Sequence, residues 1–215
     1  HSFEDERMKI AYIVLKGMPL GGGIEKYTEE VGSRLAARGH DIIVYCMGMY
    51  GARNGMYRNM RIKTVPSLKA RSLEKLSAAF AASLDQYREK DVDIVHYHTL
   101  PSALFCVMPR IARRRVVVQW HGLEWKRSRF GAVPRALVRC AEYPIVRVPN
   151  VNTVVSQVQR EYLRAAYGVQ SVCLPTGVNQ PETTPPGLIR ELGLSGNDYI
   201  LFAARLVREK GAHYL

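Results

Sequence analysis

Lys9-Ile10-Ala11-Tyr12-Ile13-Val14-Leu15, followed by Lys16-Gly17-Met18-Pro19-Leu20-Gly21-Gly22-Gly23-Ile24-Glu25, is the stretch that decides the fold. The near-continuous apolarity of 9–15 suits a strand buried on both faces, the condition met in a parallel sheet flanked by helices. A glycine-rich turn comes next. Apolar residues then recur at Ile24, Tyr27, Val31 and Leu35, the spacing of one helical face. That stripe predicts a helix over Ile24–Ala37, closed by Arg38-Gly39 with glycine in the usual terminating position. Asp41–Met47 reads as the next strand and completes a βαβ unit.

The same alternation continues outward. Arg61–Val65 reads as a strand after a Gly/Asn-rich loop (48–59), and Ser72–Arg88 as a helix with Ser72 as its cap. Asp93–His98 is a strand, Pro101 opens a helix to about Ala112, and Val116–Trp120 is a strand that runs into His121. Helix Pro134–Tyr143, strand Val151–Val155, helix Ser156–Ala166 and strand Ser171–Leu174 follow. The expected class is therefore α/β, a doubly wound parallel sheet. Pro175, Gly177, Pro181, Pro185 and Pro186 then interrupt any regular element, which marks a boundary. The organisation expected is a first domain over 8–180, a linker region over 181–196, and the truncated start of a second Rossmann-like domain over 197–215. Leu188–Leu192 reads as a short helix in the linker region and Tyr199–Ala203 as a strand of the second domain. His1–Arg7 precede Met8-Lys9-Ile10, which reads as a natural start, and are treated as a remnant outside the fold.

Lys and Arg number 31 against 19 Asp and Glu, a net charge of +12, and leaving out the remnant's one Arg and three acids raises it to +14. Such an excess favours a polyanionic partner. The cations cluster at Arg110, Arg113, Arg114 and Arg115 and at Lys126, Arg127, Arg129, Arg135 and Arg139, without the aromatic interleaving of an RNA-binding surface. An anionic membrane surface fits better than nucleic acid, and a merely solvated basic face fits as well. No apolar run approaches the ~20 residues that span a bilayer, so a cytoplasmic protein, or one peripheral on the inner face of the plasma membrane, is expected. Cys46, Cys106, Cys140 and Cys173 are scattered in apolar stretches without a CxxC pair and read as buried thiols.

In open parallel sheets ligands bind beyond the C-terminal ends of the strands, so polar groups gathered there carry the functional argument. Gly21-Gly22-Gly23-Ile24-Glu25 lies at one such end, where helix N–H groups can meet a phosphate or sugar hydroxyl, although an ordinary tight turn looks the same. It is not a dinucleotide fingerprint, because Lys26 stands where GxGxxG needs its third glycine and the second strand ends in Met47-Gly48 rather than an acid. A nicotinamide dehydrogenase is disfavoured. His96 and His98 end one strand, and His121, followed by Gly122 and Glu124, ends another. Three histidines and a carboxylate permit a metal site, but alternation equally lets one ring bond locally while its neighbour faces the cleft; the expectation is no metal and no cofactor.

Six segments in order carry a resemblance: Gly22-Gly23-Ile24-Glu25, Asp93–His98, Trp120-His121-Gly122-Leu123-Glu124-Trp125, Val154-Val155-Ser156, Leu174–Asn179 and Ala204-Arg205-Leu206-Val207-Arg208-Glu209-Lys210-Gly211. Together they resemble the retaining family 4 glycosyltransferases of GT-B fold, with the chain as the N-terminal, acceptor-side domain. Ala204 replaces the glycine of the family's G-R-L-x-x-x-K-G turn, Thr176 an asparagine and Asn179 an aspartate. The resemblance implies transfer of a sugar from a nucleotide sugar to a glycan or lipid-linked acceptor in surface polysaccharide or glycolipid assembly. It implies His121 at the anomeric centre as the catalytic residue. Gly22, Gly23, Glu25, His96, His98 and Glu124 would line the donor and acceptor sites, and Arg205 and Lys210 would clamp the diphosphate. The family's paired glutamates fall beyond Leu215, so the chain alone is expected to be inactive. A nucleotide-sugar epimerase of GT-B fold and a non-catalytic binding module are the alternatives.

Overall fold

The computed structural model describes residues 6–19, 22–70, 73–98, 100–122, 141–180, 185, 187–195, 199–204, 206 and 210–215. The strands are β1 (Lys9–Leu15), β2 (Asp41–Met47), β3 (Gly55–Tyr57), β4 (Met60–Val65), β5 (Ile94–Tyr97), β6 (Arg115–Trp120), β7 (Val151–Val154) and β8 (Val172–Cys173). They form one sheet in the order β3-β4-β2-β1-β5-β6-β7-β8. Every pairing is parallel except the β3–β4 hairpin. The α/β parallel sheet expected from the alternation is the fold observed.

The helices are α1 (Gly23–Ala37), α2 (Glu74–Asp85), α3 (Leu100–Ala103), α4 (Val107–Ile111), α5 (described over 141–147), α6 (Gln157–Tyr167) and α7 (Leu188–Glu191). From β1 the chain winds through α1 to β2, and from β4 through α2 to β5 on the other side of β1. Right-handed crossovers in opposite directions place α1 and α2 on opposite faces of the sheet. Two apolar clusters result. Ile10, Tyr12, Ile42, Val44, Cys46 and Ile62 pack with Ile24 and Leu35 of α1. Ala11, Ile13, Ile43, Tyr45, Val95, Tyr97, Val118 and Trp120 pack with Ala78, Ala79 and Ala82 of α2. The strand winding reverses between β1 and β5, and this switch point positions the site.

Gly32 sets how closely α1 approaches the sheet. A Cβ there would stand 2.6 Å from Met60 Sδ and 3.6 Å from Ile42 Cγ2, and Met60 is wholly buried. The helix propensity gained by Gly32→Ala, about 1 kcal/mol, is outweighed by the ~1–3 kcal/mol of overpacking. A net loss of about 1 kcal/mol is expected in urea denaturation, and a stabilised Gly32→Ala protein would show that α1 has room to move.

Four expectations need correction. The 48–59 loop contains β3, an antiparallel edge strand turned at Arg58-Asn59, both with positive φ, and these two residues hid the hairpin because neither is glycine. The helix expected over 101–112 is broken into α3 and α4. Pro109 lacks an N–H and crowds the carbonyl four residues before it, so the helix restarts at Val107 with Pro109 in its first turn. Tyr199–Ala203 forms no strand among the described residues: no sheet offers it a partner, and Ile200 and Leu201 are exposed. Cys173 is only partly buried, in contrast to Cys46 and Cys106. Ser72, Cys140 and most of the Pro134–Tyr143 helix lie outside the described residues. No helix among the described residues is long and apolar enough to cross a membrane.

Candidate functional site

Parallel strands bring their C-terminal ends to one edge of the sheet, and β1, β5 and β6 are adjacent there. His98 follows directly on β5, His121 directly on β6, and Gly22 caps α1 just beyond β1. On β5 the alternation that puts Val95 and Tyr97 into the α2-side core sends His96 and His98 to the α1 side. Sequence separation of 70 residues between Thr28 and His98 is thereby reduced to a hydrogen bond.

The three histidines form one packed group. His96 and His98 stack with ring centroids 4.4 Å apart, and His98 and His121 lie 5.5 Å apart. Tyr12 stacks on His98 at 5.2 Å, while Tyr27 presents its ring edge-on to both His98 and His121 at 5.8 Å. His98 is fully buried and bonded at both nitrogens: Nε2 to Thr28 Oγ1 at 3.3 Å and Nδ1 to His121 Nε2 at 3.3 Å. His98, Trp120, His121 and Gly122 line a small hollow at this edge.

Burial makes a charged imidazole costly, and every ring here is neutral in consequence. It pushes His96 down to about 3, with His121 nearby adding to the effect. His98 is driven well below the ordinary histidine range by burial and by its two histidine neighbours. His121 is lowered by burial, which the carboxylate of Glu25 opposes. Glu25 occupies the third helical position after the Gly22 cap, where its Oε1 accepts the Lys16 N–H at 3.2 Å. The carboxylate thus ties the β1–α1 turn to the helix start. A Cβ on Gly22 would lie 2.2 Å from Glu25 Oε2, so the missing side chain is what lets the carboxylate sit there. Among the described residues nothing lies within 4 Å of where a Cβ on Gly23 would stand, so the described atoms leave the first N–H groups of α1 open to a ligand.

The structure therefore brings together Gly22, Gly23, Glu25, His96, His98 and His121. Glu124 and Arg205 lie outside the described residues, as does the basic stretch Lys126–Arg139. Lys210 is described and exposed, and no described hydrogen bond or ion pair joins it to the histidines. Among the described residues no group of three ligating side chains is arranged to hold a metal. In the Arg113–Arg115 cluster, Arg114 is committed internally: it donates to the Glu89 carbonyl at 2.8 Å and to Gln86.

Residue patterns do not single out Tyr12, Tyr27 or Thr28: Tyr12 lies in an apolar strand run, Tyr27 in the α1 stripe, and Thr28 beside that stripe with no partner in the local sequence. Gln119 was also missed. It is buried, pairs in register with Thr153, and neither its amide nor the Thr153 hydroxyl has a described hydrogen-bond partner. His96 Nε2 is sealed in the same way. A glutamine closing the Val116-Val117-Val118 run was the available signal of a polar seam on this face.

Residues 21–180 match the family model of Glycosyltransferase Family 4. No curated protein matches the chain in sequence. Sucrose-phosphate synthase from Thermosynechococcus elongatus is similar in structure, with TM-score 0.63 and 18% identity over 89% of this chain and 54% of that one. HepE of Anabaena, solved in complex with UDP and glucose, gives TM-score 0.62 and 18% identity over 87% and 50%. UDP-N-acetylglucosamine 2-epimerase from Rickettsia bellii gives TM-score 0.50 and 16% identity over 77% and 43%. At such identities the likeness is one of fold. The chain spans about half the length of these solved structures.

Proposed function

Because this chain belongs to glycosyltransferase family 4, we propose that it supplies the acceptor-side half of a GT-B enzyme transferring a sugar, with retention, from a nucleotide sugar to a glycan or lipid-linked acceptor. The observation that carries this reading is the convergence of the α1 N-terminus, Glu25 and the His98–His121 pair at the switch point of the sheet. His121, partly exposed at the end of β6, is the residue we assign to the sugar at its anomeric centre. Gly22 and Gly23 allow close approach of substrate oxygens, and Glu25 holds their turn. His96 and His98 back His121, and a binding role for Glu124 follows from the family resemblance alone.

The chemistry asked of the other half is stabilisation of the departing nucleoside diphosphate. Negative charge grows on that group as the glycosidic bond breaks, and fixed cations lower the barrier by meeting it. Arg205 and Lys210 take this role, with no metal required. Residues 8–180 form the acceptor domain, 181–196 the linker region and 197–215 the opening of the nucleotide-sugar domain. The basic excess of the sequence supports docking on an anionic membrane that carries the acceptor, as surface polysaccharide or glycolipid assembly would require.

The structural likeness to a UDP-N-acetylglucosamine 2-epimerase supports a second reading, isomerisation of a nucleotide sugar without any acceptor. Product analysis of the full-length protein with a panel of nucleotide sugars, with and without membrane lipid extract, separates the two. Nucleoside diphosphate release that needs both one sugar and the lipid is the expected result. His121→Ala is expected to lower kcat/KM by about ten- to a hundredfold, the loss of one positioned hydrogen-bonding group. Sugar isomerisation without acceptor would replace the transferase by the epimerase, and undiminished transfer in His121→Ala would remove that residue from the site.

A further inference from the structure

Thr28 is fully buried in α1, and among the described residues its hydroxyl has one hydrogen-bond partner, His98 Nε2. A hydroxyl has a single proton to place. If His98 carried its proton on Nε2, that N–H would donate to Thr28, and the hydroxyl proton would be sealed from water with no acceptor. If the hydroxyl donates to an unprotonated Nε2, both groups are satisfied. Buried donors left without acceptors are costly, so the second arrangement is the stable one.

The consequence passes along the ring. A neutral His98 with a bare Nε2 carries its proton on Nδ1, and Nδ1 faces His121 Nε2 at 3.3 Å. His121 Nε2 is then the acceptor, and the neutral His121 ring keeps its proton on Nδ1. We infer that Thr28 and His98 are positioning residues that fix His121 as its Nδ1–H tautomer, so that this ring offers the cleft a hydrogen-bond donor and not a base. Nδ1 is the remaining polar atom of a partly exposed ring and has no hydrogen-bond partner among the described residues. What it selects is a ligand oxygen able to accept, such as a sugar hydroxyl. Stacking of His96 and Tyr12 on His98 holds that ring in plane for the relay, and burial of all three imidazoles keeps the network neutral. Among the described residues, the charge that acts on His121 is the Glu25 carboxylate, one oxygen of which is already taken by Lys16 N–H.

This inference rests on the placement of His121 in the substrate cleft for its meaning, but its test does not. Nitrogen-15 spectra of the histidine-labelled chain at neutral pH distinguish protonated from bare ring nitrogens, with resonances assigned by His98→Gln and His121→Gln. Expected for both rings is a pyrrole-type Nδ1 and a pyridine-type Nε2. In Thr28→Val, whose side chain keeps the shape but cannot donate, the single-tautomer pattern should collapse toward averaged shifts on both rings, while Thr28→Ser should retain it. The backbone amide spectrum reports whether each variant is folded. A proton on His121 Nε2 in the unaltered chain, or a pattern unmoved in folded Thr28→Val, overturns the inference and leaves the proposed transferase standing. The expected pattern together with full transfer activity in His121→Ala would do the reverse, keeping the relay and removing its role in the reaction.

Discussion

Lowering the pH from 7 to 5 at constant ionic strength is expected to reduce the stability of this chain by about 4 kcal/mol, before most of its carboxylates titrate. His96 and His98 are held neutral by burial, His96 down to about 3, whereas in the unfolded chain both titrate near 6.5. As pH falls below 6.5 the unfolded chain takes up protons that the folded chain refuses, so stability present above that pH is progressively lost. Each such histidine costs about 1.4 kcal/mol per pH unit once the unfolded form is fully protonated. Two of them make the slope steep, and Glu25 offsets it only at His121. Carboxylates contribute at lower pH. Burial raises Glu89, but its hydrogen bonds to Arg61 and Lys63 outweigh burial and hold it at about 2. Urea midpoints at the two pH values provide the measurement. His98→Gln, which keeps a polar group against Thr28 and His121, should remove about half of the loss; an unchanged loss would assign it to other groups.

A second large effect is expected at Asn152, where Leu in its place should cost about 3 kcal/mol. The buried Asn152 side chain accepts the Trp120 indole N–H at 3.0 Å and donates to the Val146 carbonyl at 2.8 Å. It thereby joins the end of β6 to β7 and to α5. Leucine fits the space in volume but leaves a buried donor and a buried acceptor unmet, each worth about 1–3 kcal/mol. The urea midpoint should fall with an unchanged slope. Because Trp120 immediately precedes His121, the ring spectra of His121 should also shift. A midpoint within experimental error of the unaltered chain would show that water or relaxation replaces both bonds.

Membership of glycosyltransferase family 4 was legible in the sequence only through a set of short segments, none sufficient singly. Gly22, Gly23, Glu25 and His121 stood out as candidates because strand ends are where an α/β sheet binds ligands, and that rule needs no coordinates. Thr28 could not be found in this way: it belongs to an unremarkable helix and gains its meaning from a partner on β5. The β3 hairpin and the break at Pro109 depend on local backbone states that non-glycine residues seldom announce.

Apolar runs, their period and the glycine punctuation by themselves determined a parallel α/β sheet, the direction in which its strands point, and hence the edge at which the histidines gather. Period and burial are properties of neighbours along the chain, and sequence carries them directly. Only the tertiary structure decided that Thr28, His98 and His121 form one hydrogen-bonded line under Tyr12 and Tyr27. Which atom of a ring meets which distant side chain depends on strand order, helix approach at Gly32 and the packing of both sheet faces. Those are relations between segments far apart in sequence, fixed only when the whole sheet closes its core.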